Sequence, residues 1–230
     1  MSTPNPDNPN GKPDIIIQPF DPNSLGSNSY DLHLNKMLKV YTRTLPKGMT
    51  PAIKYTEGKK YSMRDNFTSF GYYLRYLLDR SKYDIRNPKY FIDPRDRKKE
   101  TIDLEIPESG LILLPGIGYL GSTEEWTETY RLFPQIDGKS STGRNFILNH
   151  HTAGRGDDGF CGTWTLEIQV LYPTMVFPLM PFGQIYYEEF IGDRKPYNEN
   201  PNSHYNGQKG PTPAAEISNE MYREAIQKQK

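Results

Sequence analysis

Segment 137–144 combines the residue types that can bind a phosphate group. It combines the cationic side chains of Lys139 and Arg144 with the hydroxyls of residues 140–142 and with two glycines. Small residues allow a backbone to approach a ligand closely, and hydroxyls, N–H groups and cations can surround phosphate oxygens. Composition alone leaves two interpretations open: a phosphate-binding loop, or an ordinary Ser/Gly turn with solvated charges.

Two acidic residues follow this segment and are candidates for chemistry. Glu167 stands between Leu166 and Ile168 in a strand-like stretch, and a carboxylate with apolar neighbours can move protons near neutral pH. The alternative is that Glu167 lies on the solvent face of an alternating strand. Asp157, within the glycine-rich segment 153–160, can accept a hydrogen bond from a sugar hydroxyl or can organise a turn.

Several other chemistries are excluded by missing motifs. The chain has no G-x-x-x-x-G-K-[ST] loop, and it lacks the H-x-E and P-C-x-x-C pattern of zinc deaminases. Cys161 is the only cysteine, so it cannot complete such a zinc site or form an internal disulfide. His150 and His151 are adjacent on an expected strand and would point to opposite faces. We therefore expect no protein-bound metal.

The elements that must position these residues are expected to be short strands. Apolar and polar residues alternate at 30–34, and short strand-like stretches at 111–116, 164–170 and 184–187 are separated by turn signals. Many short strands with regular turns are typical of a sandwich, barrel or jelly roll. The expected fold class is therefore mainly all-β.

Segment 45–103 differs from the rest because it is charged and rich in tyrosine. We interpret it as a partly helical insertion in a β domain that spans 14–213. One amphipathic helix is predicted from apolar residues at helical spacing: Phe67, Phe70, Leu74, Leu77 and Leu78. Residues 1–13 are expected to form a disordered arm, and 214–230 a tail with a short helix over 214–228.

Charge and hydropathy bear on which partners the protein can bind and on its cellular compartment. Lys plus Arg and Asp plus Glu both total 28, so the formal net charge is zero and favours neither nucleic acid nor membrane partners. The N-terminus has no apolar core typical of a signal peptide, and no apolar run approaches the roughly 20 residues that span a bilayer. With one cysteine, these features favour a cytoplasmic protein.

Four blocks of residues together carry a family pattern. They are Pro19-Phe20-Asp21 with Ser29 to Leu34; Leu114-Pro115-Gly116 with Thr123-Glu124-Glu125; Gly138 to Arg144 continuing through His150, Thr152-Ala153-Gly154, Asp157, Gly159-Phe160 and Gly162 to Leu166-Glu167; and Pro196-Tyr197 with Tyr205 to Thr212. The third block is the most specific. The blocks resemble the dCTP deaminase family, the deaminating branch of the trimeric dUTPase-like superfamily. The resemblance covers about 15–41 and 105–213 and leaves segment 45–103 unexplained.

The resemblance implies a dUTPase-like distorted β-barrel or jelly roll that forms a homotrimer with sites between subunits. The implied reaction is hydrolytic deamination of dCTP to dUTP and ammonia, which makes the protein a hydrolase of a cyclic amidine C–N bond. Glu167 would be the general base. Ser140 and the backbone carbonyl of Ala153 would hold the attacking water, and Arg144 would orient Glu167.

The resemblance also assigns substrate contacts. Asp157 would bind the deoxyribose 3′-hydroxyl, and the triphosphate would be held by Lys139, Ser140, Ser141, Tyr197 and Gln208. Arg144 and three further positions in the matched blocks, His151, Thr152 and His204, complete the expected substrate-binding set. Mg²⁺ would enter on the triphosphate, without zinc. The expected ligands are dCTP and dUTP, with dTTP as a candidate inhibitor.

Some positions depart from the family pattern. Lys139 replaces the usual arginine and loses its bidentate fork, while His204 replaces the usual lysine and is mostly neutral at pH 7. His151 stands where the family has a small or apolar residue, and Ala214-Ala215 replaces Ser-Arg. These departures bear on triphosphate affinity and substrate choice.

Two alternative functions stay open at this point. One is dUTP hydrolysis, alone or combined with deamination, with Asp157 or Asp158 assisting attack on the α-phosphate. The other is a non-catalytic nucleotide-binding or regulatory protein, because a fold does not fix a function.

Overall fold

The computed structural model describes residues 5–6, 8, 11–45, 50–58, 92–95, 99–151, 153–216 and 227. This part of the chain is built mainly from short β-strands, as the alternation predicts. The strands are β1 (Ile15–Gln18), β2 (Tyr30–His33), β3 (Met37–Tyr41), β4 (Ala52–Lys54), β5 (Thr101–Glu105), β6 (Leu111–Leu113), β7 (Tyr119–Ser122), β8 (Trp126–Thr129), β9 (Phe133–Gly138), β10 (Ile147–Leu148), β11 (Cys161–Gly162), β12 (Thr165–Val170), β13 (Thr174–Val176) and β14 (Pro181–Glu188). A short helix, α1 (Ser140–Arg144), follows β9.

The strands form four antiparallel sheets. The largest has the order β10-β12-β7-β3-β5, and three smaller sheets have the orders β1-β8-β11, β13-β6-β4 and β2-β14-β9. Most neighbours in these sheets are distant in sequence, as when β14 pairs with both β2 and β9. The expectation of a mainly β fold is confirmed.

Two clusters of buried apolar side chains hold the sheets together. The larger lies between the five-stranded sheet and the β13-β6-β4 sheet and includes Leu38, Tyr119, Ile168 and Phe182, all essentially inaccessible to solvent. The smaller cluster joins the β2-β14-β9 sheet to the loop before β12: Tyr30, Leu32, Ile136, Phe160, Trp164 and Ile185. Complete burial of one such side chain contributes roughly 1.5–3 kcal/mol.

Both ends of segment 45–103 belong to sheets. β4 pairs with β6, and β5 pairs with β3 along its whole length. The segment expected as an insertion therefore includes β4 and the start of β5. The predicted amphipathic helix over Phe67 to Leu78 lies outside the described residues.

The predicted terminal segments are described only in part. Lys12, near the end of the predicted arm, pairs with Glu128 on β8 at 2.7 Å, and Asn8 is buried. In the tail, 214–216 are not helical, and 217–226 lie outside the described residues. In the described part of the chain, no helix is long and apolar enough to cross a membrane.

Candidate active site

A cavity of about 450 Å³ opens beside β12. Small-molecule sites commonly have volumes of about 300–1,000 Å³. The cavity gathers five residues that the sequence resemblance assigns to the site: Ala153, Asp157, Glu167, Tyr197 and Gln208. These residues come from a loop, a strand and the tail, so only the tertiary fold brings them together.

Glu167 faces the cavity because of its position on β12. Burial alternates along this strand, so Leu166 and Ile168 enter the core while Glu167 lies half-buried on the opposite face. Its cross-strand partner on β7 is Leu120, which also lines the cavity. Glu167 therefore lies on the outer face of an alternating strand, as one interpretation expected. That face lines a cavity, so the position also suits the other interpretation, a residue that transfers protons.

The backbone after β10 approaches Glu167. The His151 N–H donates a long, 3.4 Å hydrogen bond to Glu167 Oε2. His150 and His151 follow β10 rather than lying on a strand, so the predicted strand placement is wrong. His151 itself is exposed, and Thr152 lies outside the described residues.

Segment 153–157 forms an extended wall of the cavity. Ala153, Arg155 and Asp157 all line the cavity and are exposed, whereas the two intervening glycines are buried. The segment is bonded to β9, because the Gly154 carbonyl accepts from Ile136 N–H at 2.7 Å and Gly156 N–H donates to the Pro134 carbonyl at 2.8 Å.

A side chain at either position, Gly154 or Gly156, would collide with neighbouring atoms. A Cβ at Gly154 would lie 2.4 Å from the Ile136 carbonyl oxygen, and a Cβ at Gly156 would lie 2.1 Å from the Trp164 indole. The glycines therefore let this segment lie flat against β9 and direct the odd-numbered side chains into the cavity.

Aromatic side chains form the floor of the cavity. Phe160 and Trp164 pack with ring centroids 4.7 Å apart, and Tyr197 packs on Phe160 at 6.0 Å. Trp164 Nε1–H donates to Thr127 Oγ1 at 2.8 Å, which satisfies its polar atom inside the core. Sequence reasoning did not assign Trp164 to the site, although its place three residues before Glu167 was visible.

The tail segment 205–214 closes another side. Thr163 exchanges hydrogen bonds with Gln208: its N–H donates to the Gln208 carbonyl at 3.0 Å, and Gln208 Nε2–H donates to the Thr163 carbonyl at 2.7 Å. Further along, Gly210 N–H donates to Thr163 Oγ1 at 2.9 Å, and Ala214 N–H donates to the Tyr41 hydroxyl at 3.1 Å. These bonds hold Gln208 at the cavity wall.

The predicted phosphate-binding segment lies elsewhere. Among the described residues lining the cavity, none comes from 139–144. Lys139 forms an ion pair with Asp31 of β2, and Asp31 also accepts from Gln184 Nε2–H at 3.1 Å. The side chains of α1 that carry the predicted chemistry are exposed: Ser140, Ser141 and Arg144. The structure thus divides the predicted site into two parts.

Two other predicted residues also lie away from the cavity. Asp158 is buried and accepts from Arg131 N–H at 2.7 Å and from Arg194 at 2.8 Å, which gives it a structural role. His204 is exposed and packs beside Tyr205 with centroids 6.2 Å apart. Of the two candidate aspartates for phosphate chemistry, Asp157 is the one that reaches the cavity.

A family model and several curated relatives with similar sequences all indicate the same protein family. A family model described as dCTP deaminase-like matches residues 65–190. A dCTP deaminase, dUMP-forming, from Clostridium beijerinckii is 34% identical over 200 residues, covering 87% of each chain. A protein of the same description from Leptospira biflexa is 36% identical over 184 residues, covering 80% of this chain and 79% of the relative.

The family match includes part of segment 45–103, which the sequence resemblance left unexplained. That part of the chain is therefore shared with the family. A crystal structure of 2′-deoxycytidine 5′-triphosphate deaminase from Agrobacterium tumefaciens is also similar, with 17% identity, a TM-score of 0.43, and coverage of 76% of this chain and 43% of that chain.

Proposed function

The chain belongs to the dCTP deaminase-like family, and from this premise we propose that it removes the amino group of dCTP and releases dUMP. The observation that carries the proposal is the cavity beside β12, which gathers Glu167 with Ala153, Asp157, Tyr197 and Gln208. A carboxylate with apolar and aromatic neighbours in a small-molecule cavity suits proton transfer to a bound base.

Glu167 is the proposed general base. It takes a proton from a water that attacks C4 of cytosine, and it then delivers protons to N3 and to the amino group, so that ammonia leaves and the water oxygen becomes the C4 carbonyl. The Ala153 carbonyl and Ser140 hold the water, and Arg144 orients the carboxylate. One positioned acid–base group typically contributes about 10²–10⁴-fold to the rate.

The proposed product is dUMP rather than the dUTP expected from the sequence resemblance. The relatives are named as dUMP-forming, and that product needs a second water to attack the α-phosphate and release diphosphate. Asp157 lines the cavity and is available for this step, whereas Asp158 is held by Arg194. Deamination that stops at dUTP is the second candidate function.

A homotrimer with sites between subunits accounts for the division of the predicted residues. Lys139, Ser140, Ser141 and Arg144 are proposed to reach the cavity of a neighbouring copy, since they do not line the described cavity of their own. Four exposed apolar side chains near α1 support contact between copies on this side: Phe146, Leu148, Leu171 and Tyr172.

The remaining substrate contacts are proposed as follows. Asp157 binds the 3′-hydroxyl, and the phosphates are held by Tyr197 and Gln208 with the neighbouring copy's segment. One N–H of the Gln208 amide donates to the Thr163 carbonyl, and the second N–H is the proposed donor to a phosphate. His151, Thr152 and His204 are proposed as peripheral contacts, and the substrate is the Mg²⁺ complex of dCTP, with the ion on phosphate oxygens.

The test of the proposed base compares Glu167→Gln with the wild-type protein. Ammonia release from dCTP should fall by at least about 10²-fold, because the amide cannot accept the proton, while binding of dCTP is retained. Glu105→Gln is the matched control, since Glu105 lies exposed on β5 of the same sheet. Unchanged ammonia release in Glu167→Gln would refute the assigned role.

A further inference from the structure

Arg155 occupies the centre of the extended wall of the cavity. It lies between Ala153 and Asp157, whose side chains face the same way. Residues two apart on an extended backbone are separated by roughly 6–7 Å. A long side chain at position 155 can therefore reach a nucleotide whose base end lies at Ala153 and whose sugar lies at Asp157.

Arg155 is the cation that the chain contributes to its own cavity. Among the described residues that line it, Asp157 and Glu167 are carboxylates and Arg155 is the one permanently positive side chain. No carboxylate in the described part of the chain forms an ion pair with Arg155. Its guanidinium is thus available for an anion, whereas Arg194 is already paired with Asp158.

The guanidinium also has a stacking contact within the chain. The Arg155 Cζ lies 5.0 Å from the centroid of the Phe133 ring, a cation–π distance, and Phe133 in turn packs on Phe190 at 5.5 Å. The Arg155 backbone is fixed by its bridge to Gln135 on β9. Stacking leaves the guanidinium N–H edges free to donate, and the planar fork suits two phosphate oxygens.

We propose that Arg155 is a further substrate-binding residue, whose guanidinium binds a phosphate of the nucleotide in the cavity of its own chain. This inference rests on the proposed function and adds to it a phosphate contact that does not depend on a neighbouring copy. The contact offsets the weaker phosphate chemistry of Lys139 and His204, which stand where the family pattern has arginine and lysine.

Binding measurements in the Glu167→Gln background test the proposal, because we expect this variant to bind dCTP without deaminating it. Calorimetry compares dCTP with deoxycytidine, which has no phosphate. Adding Arg155→Ala should weaken dCTP binding by roughly 10- to 100-fold, as expected for loss of a hydrogen bond to a charged group, and should leave deoxycytidine binding unchanged. Arg155→Lys should restore part of the affinity, because it keeps the charge and loses the fork.

Arg95→Ala is the matched control, since it removes the same charge at an exposed site where Arg95 pairs with Asp93. Unchanged dCTP affinity in Arg155→Ala would overturn the proposal. An equal loss for dCTP and deoxycytidine would also overturn it, because that result indicates a structural role. Failure of wild-type protein to deaminate dCTP would sink the proposed function, yet a phosphate-dependent effect of Arg155 on binding would stand.

Discussion

Gly156 illustrates how single residues shape the cavity. An alanine there would place its Cβ 2.1 Å from the Trp164 ring and 2.8 Å from Pro134. Because Trp164 belongs to the core and its Nε1–H is bonded to Thr127, it cannot simply rotate away. We expect Gly156→Ala to destabilise the fold by about 1–3 kcal/mol, with a fall in the thermal midpoint of roughly 2–4 °C for each kcal/mol. Thermal unfolding measures this.

Gly118→Ala serves as the control, because a Cβ at Gly118 meets nothing within 4 Å. Equal thermal midpoints for Gly156→Ala and the wild type would show that segment 153–157 can move away from Trp164 at little cost. The described packing would then not be required.

The sequence predicted Ala153, Asp157 and Glu167 in the site because their motif is specific, and the structure brings these three to one cavity. Arg155 and Trp164 also line the cavity but were not predicted as site residues. Alternation shows that residues 153, 155 and 157 share a face, but it does not show whether that face meets solvent or a cavity. Whether the face meets a cavity depends on packing against β9 and the tail, and the tail is distant in sequence.

At the scale of elements, the tail segment 205–214 determines one wall of the cavity. Thr163 Oγ1 accepts from Gly210 N–H, so Thr163→Val removes the acceptor while keeping the size of the side chain. We expect the tail to detach more readily, with faster cleavage by a protease in limited proteolysis and a higher KM for dCTP. The loss of one such bond corresponds to about 0.5–1.5 kcal/mol.

Thr174→Val is the matched control, because Thr174 lies on β13 and bonds only locally to the Tyr172 carbonyl. If Thr163→Val and Thr174→Val show the same proteolysis and the same KM, the tail is not held through Thr163.

The strands also show where element prediction failed. β12 was predicted because its alternation is regular and its apolar face enters the core. β4 and β5 were not, because β5 has exposed residues at most positions and each strand is defined by a distant partner, β6 or β3. A charged edge strand leaves little signal in the sequence.

At the scale of the whole molecule, the proposed trimer makes a prediction about mixtures. Glu167→Gln and Arg144→Ala should each be inactive alone. After subunit exchange, a mixture should regain about a quarter of the wild-type sites by random assortment, because some interfaces combine an intact Glu167 with an intact Arg144. Ammonia release from dCTP measures the recovery.

Native mass spectrometry of the mixture provides the control, since it shows whether mixed oligomers have formed. Mixed trimers without recovered activity would contradict a site shared between copies. The segment around α1 would then need another role than completing a neighbouring cavity.

The cavity containing Glu167 is proposed to convert dCTP to dUMP, diphosphate and ammonia. The most direct measurement is to incubate the wild-type protein with dCTP and Mg²⁺ and to separate the nucleotides by anion-exchange chromatography over time. We predict that dCTP is replaced by dUMP, with diphosphate and ammonia released in equal amounts. Accumulation of dUTP would restrict the activity to deamination, and unchanged dCTP with a protein that still binds it would contradict the proposed activity.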